Sequence, residues 1–199
     1  MSSHVDLYLA SKSPRRRSLL ADAGLRFELC EPGAEYVDGA HEHASEQGDP
    51  RGLCRARAER KARGAAAPGV DVPVLAVDTV VDLDGVELGK AADRHAAAAM
   101  LRSLAGRLHH VHTAHCVVRG RASWTELVSA TVWCDRVEEA ALSAYLDSGQ
   151  WRGKAGAYGI QDREQSFLQL RAGAFDAVVG LHVETVQALL ARAAGGLRT

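Results

Sequence analysis

Leu7-Tyr8-Leu9-Ala10-Ser11-Lys12-Ser13-Pro14-Arg15-Arg16 passes without a break from an apolar, strand-like segment into the first turn of a helix. Ser13 is suited to the N-cap, and Pro14 fits the first helical position because an N–H there has no intrahelical partner. Leu19, Leu20 and Ala23 supply an inward face, and Gly24 ends the helix. The unpaired N–H groups of the first turn, with Arg15 and Arg16, point toward one anion beside Ser11 and Ser13. Phe27 to Cys30 reads as a second strand, so the chain opens β-α-β and the fold class is α/β.

Alternation continues downstream. Alanine and leucine recur near a helical period in Gly52 to Ala66, His95 to Leu104, Glu138 to Ser148 and Glu184 to Ala193. Strands are predicted over Val72 to Leu83, His109 to Val118, Ser123 to Cys134 and Phe167 to Leu170, in a mixed, largely buried sheet. Asp84-Gly85 is a two-residue hairpin turn. An unbroken register after it sets Lys90 opposite Thr79 and turns Asp78 to the other face, so only a bulge or strong twist would bring Asp78 and Lys90 into one site. Gly33 to Pro50 is polar and acidic and reads as a long exposed loop that could act as a lid.

The chain has 199 residues, with 24 Lys and Arg against 25 Asp and Glu and a sequence pI near 6.8. That balance gives no basic field for nucleic acid, so positive charge has to act locally. No apolar run reaches the ~20 residues that a membrane span needs, and no secretory leader is recognisable, which predicts a soluble cytoplasmic protein. Cys30, Cys54, Cys116 and Cys134 are scattered, without the spacing of a thiolate metal site. His109-His110-Val111-His112-Thr113-Ala114-His115 puts His110 and His112 on one strand face, but no carboxylate falls within that run.

Asp78 follows the apolar run Val72 to Val77 directly, and a carboxylate there is costly unless it is used, paired or capping a turn. Lys154-Ala155-Gly156-Ala157-Tyr158-Gly159-Ile160-Gln161 joins a cation, small residues that admit a ligand to the backbone, and an amide that both donates and accepts. Lys61 by itself reads as one more charge on a basic helix with Arg55, Arg57, Arg60 and Arg63. No G-x-x-x-x-G-K-[ST] loop is present, which argues against P-loop transfer of a terminal phosphate.

In chain order, Ser11 to Arg16, Lys61-Ala62, Asp78-Thr79-Val80-Val81 with Leu88-Gly89-Lys90, Leu104-Ala105-Gly106-Arg107 and Lys154 to Gln161 resemble the motifs of Maf-type nucleoside triphosphate pyrophosphatases. The resemblance runs from about Leu7 to about Thr185. It implies a single domain over residues 1–199, with a mixed twisted sheet flanked by helices and two lobes around a central cleft, as in inosine triphosphatases. It also implies that Asp78 is the general base, that Glu35 is the acidic position after the second strand, and that Lys61 has a role in the site.

Arg15, Arg16, Lys61, Lys90 and Lys154 would then surround a triphosphate, while Glu35 and Asp78 offer hard oxygen ligands to Mg²⁺ or Mn²⁺. Water would attack the α-phosphorus to give monophosphate and pyrophosphate, and the resemblance further implies a homodimer that acts on nucleotides rather than on nucleic acid or membranes. Arg15, Thr79 and Gln161 match the dTTP/UTP branch, where a hydroxyl and an amide suit the uracil or thymine edge. A 7-methyl-GTP or other purine triphosphate pyrophosphatase is the alternative enzyme, and a nucleotide-binding regulator of septum formation the alternative class. Departures from the family pattern are Val77 before the aspartate, Ala91 after the lysine, Ala114 after Thr113, and His182 where proline is usual.

Overall fold

A computed structural model describes residues 5–34, 49–67 and 71–195. Glu35 and most of the predicted loop from Gly33 to Pro50 lie outside these described residues. The elements are β1 (Leu7–Leu9), α1 (Pro14–Asp22), β2 (Phe27–Leu29), α2 (Pro50–Arg63), β3 (Val74–Leu83), β4 (Val86–Leu88), α3 (Arg94–Leu104), β5 (Arg107–Arg119), β6 (Ala122–Cys134), α4 (Glu139–Ser148), β7 (Leu168–Ala172), α5 (Phe175–Val179) and α6 (Val183–Gly195). One seven-stranded sheet runs β2-β1-β3-β5-β6-β7, with β4 also on β3. The β1 pairs are parallel and all the others antiparallel, as expected for a mixed α/β sheet.

Strand β3 positions the site. Val74 and Leu75 pair with β1, and Val81 to Leu83 pair with β4. Between these partners, residues 76–80 keep only β5 as a paired neighbour, and the break in the edge opens at Asp78 and Thr79.

The two faces of β3 divide the core, because successive side chains alternate across a strand. Val74, Ala76 and Val80 pack with Cys54, Ala58 and Ala62 of α2. On the opposite face Leu75 and Val77 join Leu20, Leu181, Val186 and Leu189 in one cluster. Val81 and Leu83 join Leu101, Leu104, Leu142 and Tyr145 in another. Thr79 lies at the seam between those two clusters, beside fully buried Thr113 of β5.

Local chemistry accounts for the ends of several elements. Asp49 caps α2 by accepting from Arg51 N–H at 3.1 Å, with Pro50 at the helix start, and Asp93 caps α3 through Ala96 N–H at 2.8 Å. Ser13 occupies the N-cap of α1, but its side chain makes no capping bond; instead its N–H donates to Ser11 Oγ at 3.3 Å. The predicted pairing of Lys90 with Thr79 is not made. Strand β4 leaves β3 after the Val81–Leu88 pair, and Lys90 forms an antiparallel bridge with Ala155. Gly156 N–H holds that departure by bonding to the carbonyls of Leu88 and Gly89, each at 3.0 Å. The short helix α5 has too few residues to display a helical period and was not predicted.

Candidate active site

A cleft of about 720 Å³ opens at the break in the β3 edge. Its walls bring together Ser11, Ser13, Arg15 and Arg16 from the first strand-to-helix turn, Lys61 from α2, and Asp78 and Thr79 from β3. Lys90, Lys154 and Gln161 line it from the other side. The predicted site residues that are described therefore converge on one cavity; Glu35 lies outside the described residues.

Asp78 faces α2. Lys61 Nζ donates to Asp78 Oδ1 at 2.6 Å, and their side chains are 11% and 6% exposed. Among the described residues, Asp78 Oδ2 is buried and meets no hydrogen-bond partner. Such an atom is costly to leave unmatched and can be satisfied by a proton donor or a cation. Among the described residues, no group of three or more His, Cys, Asp or Glu side chains could hold a metal ion. That sparse set still fits Mg²⁺, which typically takes one or two carboxylates and completes its shell with substrate phosphates and water.

Thr79 faces the opposite way. Arg16 donates through Nη2 to Thr79 Oγ1 at 3.1 Å, through Nη1 to Ser11 Oγ at 3.1 Å, and through Nε to Gly180 O at 2.8 Å. Its guanidinium thus braces α1 against β3 and the turn after α5. Ser11 Oγ accepts from both Arg16 and Ser13 N–H, which leaves its own hydrogen to donate. Thr113 Oγ1 bonds Ala177 O at 2.8 Å and Thr79 Oγ1 at 3.1 Å. A carbonyl only accepts and Thr113 has one hydrogen, so Thr79's own hydrogen is drawn to Thr113. Thr79 then offers a ligand a lone pair rather than a hydrogen.

The opposite wall is built on Asp162, which sequence reasoning did not select. Lys154 Nζ forms an ion pair with Asp162 Oδ1, Gln161 Nε2 donates to the same oxygen at 3.2 Å, and Tyr145 O–H donates to Oδ2 at 2.7 Å. Burial lowers the Lys154 pKa and the carboxylate opposes that shift. Burial likewise lowers the Arg15 pKa, with Asp162 again opposing. A methyl group at Gly159 would stand 2.6 Å from Asp162 Oδ1 and Gln161 Nε2 and 2.7 Å from Lys154 Nζ, so glycine is needed for these three to converge.

A second ion pair made by α2 in the cleft corrects the reading of that helix as a solvated basic face. Arg57 is 4% exposed and engages Glu87 of β4 through both Nη atoms, with Nη2 to Oε2 at 3.1 Å. The charge count of α2 could not reveal this, because the partner comes from another strand.

The histidines alternate between the two faces of β5. His112 lies between Ser129 Oγ at 2.8 Å and Asp82 Oδ2 at 3.1 Å. His109 Nε2 meets Tyr158 O–H at 2.6 Å, and burial holds the imidazole pKa near 4. His115 Nε2 accepts the His182 N–H at 2.9 Å, a bond that proline at 182 could not donate. Burial, with help from Arg16, lowers the His115 pKa to about 3. Among the described residues, no helix is long and apolar enough to cross a membrane.

A family profile described as Maf-like protein matches residues 6–193. A dTTP/UTP pyrophosphatase from Bordetella pertussis is 40% identical over 192 residues, covering 95% of this chain and 92% of the relative. Another from Cereibacter sphaeroides is 41% identical over 187 residues, covering 94% of each. A nucleoside triphosphate pyrophosphatase from Haemophilus ducreyi is 38% identical over 192 residues, also covering 94% of each.

Proposed function

The chain belongs to the Maf-like protein family, and from that premise we propose that it hydrolyses dTTP and UTP to nucleoside monophosphate and pyrophosphate. The observation that carries this reading is Asp78 at the break in β3: one carboxylate oxygen held by Lys61 and the other buried and unpartnered, facing a cationic cleft.

Asp78 Oδ2 takes a proton from the attacking water while Lys61 fixes the carboxylate's orientation. Oxygen from that water bonds to the α-phosphorus, the bridge to the β-phosphorus breaks, and pyrophosphate leaves with the bridging oxygen. Arg15, Lys90 and Lys154 bind the polyphosphate, Ser11 and Ser13 hold its near end, and Arg16 keeps the floor in place. Asp78 and Glu35 are the proposed holders of a divalent Mg²⁺ or Mn²⁺, which would neutralise phosphate charge and polarise the reacting phosphorus. Gln161 contacts the base edge, and Thr79 accepts from a hydrogen-donating group elsewhere on the nucleoside. The whole chain acts as one pyrophosphatase domain, as a homodimer in the cytoplasm, and needs neither nucleic acid nor membrane.

The test is a panel of canonical and modified nucleoside triphosphates with Mg²⁺ or Mn²⁺, with pyrophosphate and orthophosphate measured separately. UTP and dTTP should head the panel and release pyrophosphate, and oxygen from ¹⁸O-labelled water should enter the monophosphate. Nucleoside diphosphate with orthophosphate as the main products would overturn the reading.

A further inference from the structure

Gln161 ends in an amide whose two sides have nearly the same shape and opposite hydrogen-bonding character. A side chain free to turn about its last bond offers either side to a ligand and discriminates poorly. Here the neighbouring Asp162 restricts that choice. Its carboxylate is 6% exposed and takes Lys154 and the Gln161 Nε2 on one oxygen and Tyr145 O–H on the other. The charge of the same carboxylate opposes the lowering of the Arg15 pKa by burial. With both oxygens already accepting, from Lys154 on one and Tyr145 on the other, the Asp162 carboxylate attracts the NH₂ side of Gln161 and repels the carbonyl.

We propose that Asp162 is a positioning residue for base choice: by fixing the Gln161 amide, it presents Oε1 to the base and so favours a ring nitrogen that carries hydrogen. The inference rests on the proposed nucleotide substrate and on Gln161 contacting the base. Uracil and thymine bring an N3–H to that oxygen, whereas cytosine brings a bare N3 lone pair. Asp162 therefore acts on the choice between these pyrimidines and not on the phosphates. Lys154, held by the same carboxylate, serves every triphosphate alike and cancels in a ratio of two substrates.

The experiment compares kcat/KM for UTP and CTP in the wild-type enzyme and in Asp162→Asn. Asparagine can turn either of its own sides toward Gln161 and releases the amide. The UTP:CTP ratio should fall about tenfold, the scale of one hydrogen bond made by the right base and lost by the wrong one, with activity on CTP rising in absolute terms. A merely structural defect would not raise it. In a Gln161→Ala background, Asp162→Asn should leave the ratio unchanged, because both act through one amide; Asp162→Glu, which remains an acceptor, should preserve it.

Should Asp162→Asn fail to fold, Tyr145→Phe withdraws one donor from Oδ2 outside the cleft lining and should lower the ratio by about two- to threefold. An unchanged ratio in the folded Asp162→Asn, or in Tyr145→Phe in its place, overturns the inference. Equal wild-type turnover of UTP and CTP overturns it as well. A wild-type enzyme that hydrolyses neither UTP nor dTTP would instead overturn the proposed function.

Discussion

Two lysine–aspartate pairs face each other across the cleft with the same exposure, 11% for the lysine and 6% for the aspartate, yet they are finished differently. Asp162 has both oxygens occupied, by Lys154 and Gln161 on one and Tyr145 on the other. Asp78 has Lys61 on one oxygen and, among the described residues, no hydrogen-bond partner on the other. Burial and an opposite charge are therefore not what separates the carboxylate proposed to react from the one proposed to support. The separating property is an unengaged oxygen: a carboxylate with both oxygens bonded holds its neighbours, while one with an unpartnered oxygen is open to a proton or a cation.

The largest expected effect tests that contrast directly. Asp78→Asn should lower kcat for UTP by roughly 10² to 10⁴ while nucleotide binding persists, because the proposed base is removed and the size kept. Asp162→Asn should leave kcat for UTP within about tenfold of wild type, since it is assigned one hydrogen bond's worth of positioning. Steady-state kinetics with a separate binding titration would decide, and equal losses of kcat in the two variants would break the comparison.

Stability gives the next test. Lys61→Met leaves Asp78 buried and without its ammonium, and should cost about 3 kcal/mol in a urea titration, as expected for a buried charge deprived of its partner. Lys154→Met should cost less, because Asp162 keeps the Tyr145 hydroxyl and the Gln161 amide. Equal costs would mean that those two neutral donors contribute nothing to the carboxylate.

How much of this contrast was readable from the residues depends on the distance over which each signal acts. The alternation of elements was legible because apolar runs and helical periods are local, and Asp78 stood out because it ends such a run. Asp162 did not, since what makes it matter are Tyr145 on α4 and Lys154 in another turn. Periodicity likewise assigned Arg57 to a basic helix and could not foresee Glu87. The departure of β4 at Gly89 followed from a bridge to Ala155, a partner that no hairpin rule contains.

Gln161→Ala sharpens the role assigned to the Asp162 side. It should reduce kcat/KM for UTP and dTTP by about 1–3 kcal/mol in transition-state terms and change the GTP value much less. Equal losses on all bases would reduce Gln161 to a structural part of its turn.

The smallest effect is a background to be removed from any pH comparison of the two pairs. His109 and His115 have folded pKa values near 4 and near 3, below the ordinary 6.5. Between those values the unfolded chain binds more protons, so stability falls as pH drops below about 6.5. From pH 7 to pH 6 the two together should cost about 1 kcal/mol, read as a lower urea midpoint, and His115→Gln should flatten that slope. A loss of rate over the same interval without a shift in midpoint would belong to the cleft and not to these histidines.

Strands β3, β5 and β6 run unbroken past the seam where the two apolar clusters on one face of the sheet meet. Among the described residues the floor of the cleft is therefore a mechanical spine: widening the cleft means flexing a continuous ladder of backbone bonds, whose stiffness resists a wide swing. Amide hydrogens along the paired centre of β5 should accordingly exchange among the slowest in the chain, whether or not a nucleotide is bound, and exit of product should depend on side chains at the rim more than on a wide opening of the sheet.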